Sequence, residues 1–179
     1  MQEKYPKIQI FFHWLSLLFI ILTYLSVKLK SLDLTYDWHQ LMMSTHFTLG
    51  ICVWLVVIIR IGLRHLYLSK TPAITPTPPV WQTKLAHYVH LALYLVFILL
   101  PILGSLTVLN KGFAVSFLGF PILSGFTANP GLAHTLKEIH ETLANGALIL
   151  IALHAIAALY HHYIVKDNTL LRMMPHKSK

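Results

Sequence analysis

Residues 136–163 read LKEIHETLANGALILIALHAIAALYHHY. The apolar run that they carry, from about Ile139 to Ile164, is long enough to cross a bilayer, which takes about 20 helical residues. Two histidines interrupt it, His140 and His154, fourteen residues apart. Fourteen helical steps of about 100° leave a net rotation of only about 40°, so both rings project from nearly one face. The rise between them is about 21 Å at 1.5 Å per residue, which sends them to opposite leaflets. Ionisable side chains inside a span are rare and point first to function.

Three further stretches have the same character: about Ile8 to Val27, Leu41 to Leu63 and Leu85 to Val108. Lipid cannot satisfy backbone polar groups, so all four spans are expected to be helical. The first is too long for a signal-peptide core and no small-residue cleavage site follows it, so it reads as an uncleaved helix. Of the 179 residues, 56% are hydrophobic and only 11% charged, and mean hydropathy is +0.64. A soluble domain carries about 25% charged residues. The expectation is an all-α integral membrane protein, with residues 1–179 forming a single four-helix transmembrane bundle. This excludes a cytosolic enzyme, and the net charge of +8 signals topology, not nucleic acid. One cysteine, Cys52, excludes an intrachain disulfide.

Lys and Arg near the span ends set the orientation. The N-terminus, the second connection and the C-terminus hold Lys4, Lys7, Arg60, Arg64, Lys70, Lys84, Lys166, Arg172, Lys177 and Lys179. The opposite side holds Lys28, Lys30, Lys111 and Lys137. Both termini are therefore expected in the cytoplasm. The proline-rich connector TPAITPTPP (71–79) reads as extended and without chemistry. The connection from Asn110 to Lys137 contains FAVSFLGFPILSGF (113–126), too short and too interrupted to span, and is expected to cap the outer surface of the bundle.

Sequential helices run antiparallel, so His13 shares a level with His154, and His46 shares one with His140. Two imidazoles on facing helices can hold a planar metallocycle from both axial sides, and bundle cores house such groups. With both axial positions filled, a haem iron carries electrons and does not bind oxygen. Two stacked haems would form a wire across the bilayer. A zinc or copper site would need three or four ligands together, which the division between leaflets opposes. His87 and His90 offer an alternative pairing with His13, or a role at the interface. His161 lies seven residues beyond His154 on the same face, where a quinone carbonyl could meet the imidazole. Arg60 reads as snorkelling to the inner surface or as a propionate partner, and Gly50 and Gly146 as close-approach positions.

The opening KYPKIQIFFHWL (4–15), the segment HETLAN (140–145) within the fourth span and the tail KDNTLLRMMP (166–175) resemble the bacterial cytochrome b561 family over nearly the whole chain. The related cytochrome subunits of formate dehydrogenase and nickel–iron hydrogenase share the four-helix plan and the fourteen-residue histidine spacing. The resemblance implies two haem b groups in a protein of the bacterial inner membrane, a cytoplasmic-side one on His13 and His154 and a periplasmic-side one on His46 and His140. It also implies an oxidoreductase that takes electrons from periplasmic superoxide, releasing dioxygen, and reduces ubiquinone near the cytoplasmic face, with His161 at the quinone. Lys111 and Lys137 match positions where cations would steer superoxide to the outer haem. Glu138, Asp33 and Asp37 make that face less cationic. Two other readings remain: a cytochrome subunit linking a partner dehydrogenase or hydrogenase to quinone, and a non-redox membrane scaffold.

Overall fold

The computed structural model describes residues 4–32 and 34–175. Asp33, His176, Lys177 and Lys179 lie outside the described residues. Four long helices dominate: α1 Lys7–Lys30, α2 Tyr36–Leu66, α3 Val80–Asn110 and α4 Pro130–Tyr160. All four are long and apolar enough to cross a membrane. α1, α2 and α3 overrun their apolar segments at both ends, and α4 does so at its start. α4 begins nine residues before Ile139, where the Asn129 side chain accepts the Leu132 N–H at 3.1 Å and Pro130 opens the first turn. Such a cap, with proline just inside, fixes a helix start that hydropathy cannot see.

The bundle pairs α1 with α2 and α3 with α4, and α2 packs on α3. One end carries both termini and the α2–α3 connection, and is called the terminal end below. The other carries the α1–α2 turn and the α3–α4 connection. Between the two ends sits a core of Ile20, Val53, Val57, Phe97, Leu100 and Ala147. Ala147 is 0% exposed and stands seven residues from both His140 and His154, so the core separates the two histidine levels. Hydroxyls in the spans return their protons to their own helix: Ser16 to His13 O at 2.7 Å, Thr23 to Phe19 O at 2.7 Å, Thr107 to Leu103 O at 2.8 Å. The outward faces, with Phe11, Leu18, Ile21, Leu95 and Ile149 exposed, present the apolar surface that lipid covers.

The long connection is not featureless. Strands β1 Val115–Phe117 and β2 Phe120–Leu123 pair as an antiparallel hairpin. Leu118 and Gly119 turn it with positive φ of 52° and 84°. The hairpin lies along the flank of α2, where the Leu118 N–H donates to Thr48 Oγ1 at 3.0 Å. The opposite end is closed by the tail. Asn168 Nδ2 donates to Ala73 O at 3.1 Å and its Oδ1 accepts the Thr75 N–H at 2.9 Å. Arg172 donates to Pro72 O, and Trp14 Nε1 to Met173 O at 2.9 Å. The proline-rich connector is thus pinned to the C-terminal segment, not left as a bare spacer.

Candidate functional site

Helical rise and antiparallel packing bring together the residues that the sequence placed at equal depth. At the hairpin end the rings of His46 and His140 lie 6.3 Å apart between centroids, with planes at 77°. At the terminal end His13 and His154 lie 6.2 Å apart, with planes at 59°. These separations suit two imidazoles sharing one iron. Iron–nitrogen bonds of about 2 Å, and about 1.1 Å from nitrogen to ring centre, put coaxial centroids about 6 Å apart. His90 also turns inward, 5.2 Å from His154, too close for an iron between coaxial rings. Its place against His154 inside the bundle corrects the expectation of an interfacial role. His87 stays exposed at the helix surface.

The hairpin-end rings are already oriented. His46 Nδ1 lies 3.1 Å from Thr23 O, and His140 Nδ1 lies 2.9 Å from Leu100 O. A carbonyl only accepts, so Nδ1 carries the proton in each ring and Nε2 is the free nitrogen. Tying the distal nitrogen in this way is how protein metal sites fix a histidine ligand. Leu100 precedes Pro101, which interrupts the hydrogen-bond ladder of α3. Gly104, one turn further along, makes room for the ring: a Cβ there would sit 3.2 Å from His140 Cε1. Gly104→Val is therefore expected to displace His140 and lower haem retention, while Gly62→Ala, where a Cβ meets nothing within 4 Å, leaves it unchanged. Haem-to-protein ratios of the two purified variants check this. A Cβ on Gly50 or Gly146 also meets nothing within 4 Å, and Trp54 buries its indole N–H without a partner among the described residues. Room beside the rings and an orphan donor between the two levels both suit a large bound group with oxygen acceptors.

The terminal-end pair is held differently. Arg60 donates to Ser16 Oγ at 2.8 Å and from Nη2 to His13 Nδ1 at 3.0 Å, and its guanidinium lies 5.6 Å from the Tyr94 ring centroid. It turns into the bundle and does not snorkel. A guanidinium only donates, so in this arrangement the His13 proton is on Nε2. Ligation of an iron through Nε2 would need that proton on Nδ1 and Arg60 Nη2 turned to another acceptor. A carboxylate on the bound group would supply one, which is the propionate role that the sequence offers for Arg60.

Beyond His154, α4 runs into a π-type turn, His161–Val165, and Lys166 takes a left-handed conformation (φ 60°, ψ 35°). His161 is bonded there to Asp167, a residue that no spacing in the sequence singles out. The two candidate cations lie at the hairpin end. Lys111 caps α3 and is exposed. Lys137 pairs with Glu141 at 3.2 Å, while Glu138 lies 3.7 Å from His134. Glu141, not Glu138, is therefore the carboxylate that tempers Lys137. Exposed pairs spaced i,i+4 are worth only about 0.3–0.5 kcal/mol, so Lys137 is easily freed.

A four-helix membrane bundle with opposed imidazoles at two levels has the framework of a membrane b-type cytochrome. Residues 4–176 match the family model of prokaryotic cytochrome b561. The chain is 43% identical to cytochrome b561 homolog 1 of Escherichia coli K12, over 98% of this chain and 99% of that one. It is 41% identical to the probable superoxide oxidase CybB of Yersinia pestis, over 99% of both. Similarity extends at 28% to cytochrome b562 of Cereibacter sphaeroides, over 97% and 96% of the two chains. The chain belongs to the prokaryotic cytochrome b561 family, and so to the membrane haem b proteins that transfer electrons.

Proposed function

We propose that this protein is a dihaem superoxide:ubiquinone oxidoreductase of the bacterial inner membrane, with both termini in the cytoplasm. The observation that carries the two-haem reading is the matched spacing of the opposed rings, 6.3 Å for His46–His140 and 6.2 Å for His13–His154. Superoxide as donor is supported by the 41% identity to a probable superoxide oxidase. Haem b held by two imidazoles supplies an iron that changes oxidation state without opening a coordination position.

The residues of the chain do the rest. His46 and His140 hold the periplasmic-side group, with Thr23 and Leu100 carbonyls fixing their rings. His13 and His154 hold the cytoplasmic-side group. Lys111 and Lys137, both exposed at the hairpin end, draw a small anion toward the nearer pair and raise its encounter rate, an effect that salt weakens. The apolar core around Ala147 excludes water between the two levels. His161 meets the quinone on the cytoplasmic side. Two superoxide anions give two dioxygen molecules and two electrons, and ubiquinone takes those electrons with two protons to become ubiquinol. The partners are thus superoxide, ubiquinone and the bilayer.

The test is to supply purified protein with an enzymatic superoxide source and ubiquinone, and to follow quinol by absorbance. Quinol that forms in proportion to protein, and is suppressed by added superoxide dismutase, is the expected result. Quinol formation no faster than without protein would contradict it.

A further inference from the structure

Asp167 is the only buried carboxylate among the described residues, 3% exposed, and it lies just past the end of a membrane span. Its place is built by the backbone. The π-type turn and the left-handed Lys166 fold the chain back, so that the Asp167 N–H donates to His161 O at 3.2 Å. The same fold sets Asp167 Oδ2 2.5 Å from His161 Nδ1. The second carboxylate oxygen accepts the Thr169 N–H at 2.8 Å. The other side-chain ion pairs among the described residues join exposed groups one helical turn apart, so this buried contact is of a different kind. Turns of the π type gather at functional sites, and an ionisable pair at a span end is a functional constellation first. Burial pushes the Asp167 carboxyl up, but the bonds from His161 and Thr169 outweigh it and hold the group below the usual carboxylate range. The carboxylate is therefore ionised at neutral pH, and His161 Nδ1 is the donor.

We propose that Asp167 is a positioning residue for His161, fixing its ring so that Nε2 delivers protons to the oxygens of a bound quinone. This rests on the reading of His161 as the quinone contact. With Nδ1–H committed to Asp167, only Nε2 is free to gain and lose a proton, and the carboxylate holds the ring in that orientation during transfer. As each electron arrives from the haem on the same side, an O–H bond forms on a quinone oxygen and the Nε2–H bond of the imidazolium breaks. The electron pair of that N–H bond stays on the ring. His161 recovers its proton from water, to which its side chain is 18% exposed. Two such transfers with two electrons give quinol, and Asp167 stays ionised throughout.

Asp167→Asn keeps the shape, removes the charge and leaves one acceptor oxygen, enough for His161 Nδ1–H once the amide nitrogen is turned to the Thr169 side. Holoprotein reduced chemically without oxygen is mixed rapidly with a short-chain ubiquinone, and haem re-oxidation is timed. The expected result is a re-oxidation rate at least about tenfold lower, part of the hundredfold or more that a positioned proton donor contributes. The quinone concentration for half-maximal rate should stay within about twofold, since that charge is not asked to bind substrate. Asp167→Glu, which keeps the charge, should recover part of the rate. A wild-type rate in Asp167→Asn beside a slow His161→Gln overturns the positioning role and leaves the quinone reading standing. Wild-type rates in both overturn the quinone reading as well. If Asp167→Asn fails to fold, Asp167→Glu decides: partial retention of rate supports the pair, and a rate equal to that of His161→Gln overturns it.

Discussion

Replacing His154 with alanine is expected to halve the haem b content of the purified protein and to abolish superoxide-driven quinol formation. The ring of His154 faces His13 at 6.2 Å, and without it one axial side of the terminal-end group has no ligand. His90, 5.2 Å from His154 in the native arrangement, sits on α3 against the lost ring. The hairpin-end pair lies on the far side of the Ala147 core and keeps its own ligands and carbonyl bonds. His154→Ala should therefore still be reduced by superoxide, at one haem, and then stop. Haem b per chain and quinol yield check both halves of this. A variant with full haem content and undiminished quinol yield would show that His154 is no ligand.

The mirror variant, His46→Ala, is expected to fail at the other step. It removes the ring that faces His140 at 6.3 Å and leaves the terminal-end residues untouched. Superoxide oxidation should fall to the uncatalysed rate. The remaining haem, once reduced by a chemical reductant, should still pass electrons to ubiquinone at close to the wild-type rate. That opposite pattern in the two variants separates a directional two-level relay from a protein in which both haems serve one site. If His46→Ala instead loses quinone reduction and keeps superoxide oxidation, the two ends have been assigned the wrong way round.

How far the sequence carried depended on whether a feature was set by helical geometry or by a turn. The four spans and the two histidine levels follow from rise per residue and antiparallel order, and both were legible. Helix ends were not, because hydropathy ignores polar first turns. The Asn129–Pro130 start of α4 was written in capping chemistry instead. Residue type alone points to Gly50 and Gly146, whereas the glycine that clears a ring is Gly104. It acts across the α3–α4 contact, which no spacing along one helix reveals. His90 reads as interfacial, or as an alternative partner of His13, since it lies only five residues beyond Leu85, where the apolar run begins. The helix in fact starts at Val80, which places His90 ten residues from its end and against His154. Asp167 was hidden for a different reason. Six residues along an unbroken helix, it would face away from His161, and only the π-type turn brings it back. Its neighbours in KDNTLLRMM form a motif for which the sequence alone offers no physical reason. The bonds from Asn168 and Arg172 to the α2–α3 connection supply that reason, since they hold the tail against the bundle.

The claim at the centre is that four histidines hold two haems, one at each level. The most direct measurement is haem b per polypeptide in the purified protein, by pyridine haemochrome against quantitative amino-acid analysis, with electron paramagnetic resonance of the oxidised state. Two haems per chain, both low-spin with two nitrogenous axial ligands, is the predicted result. One haem per chain, or a high-spin signal from an iron with an open axial position, would contradict it.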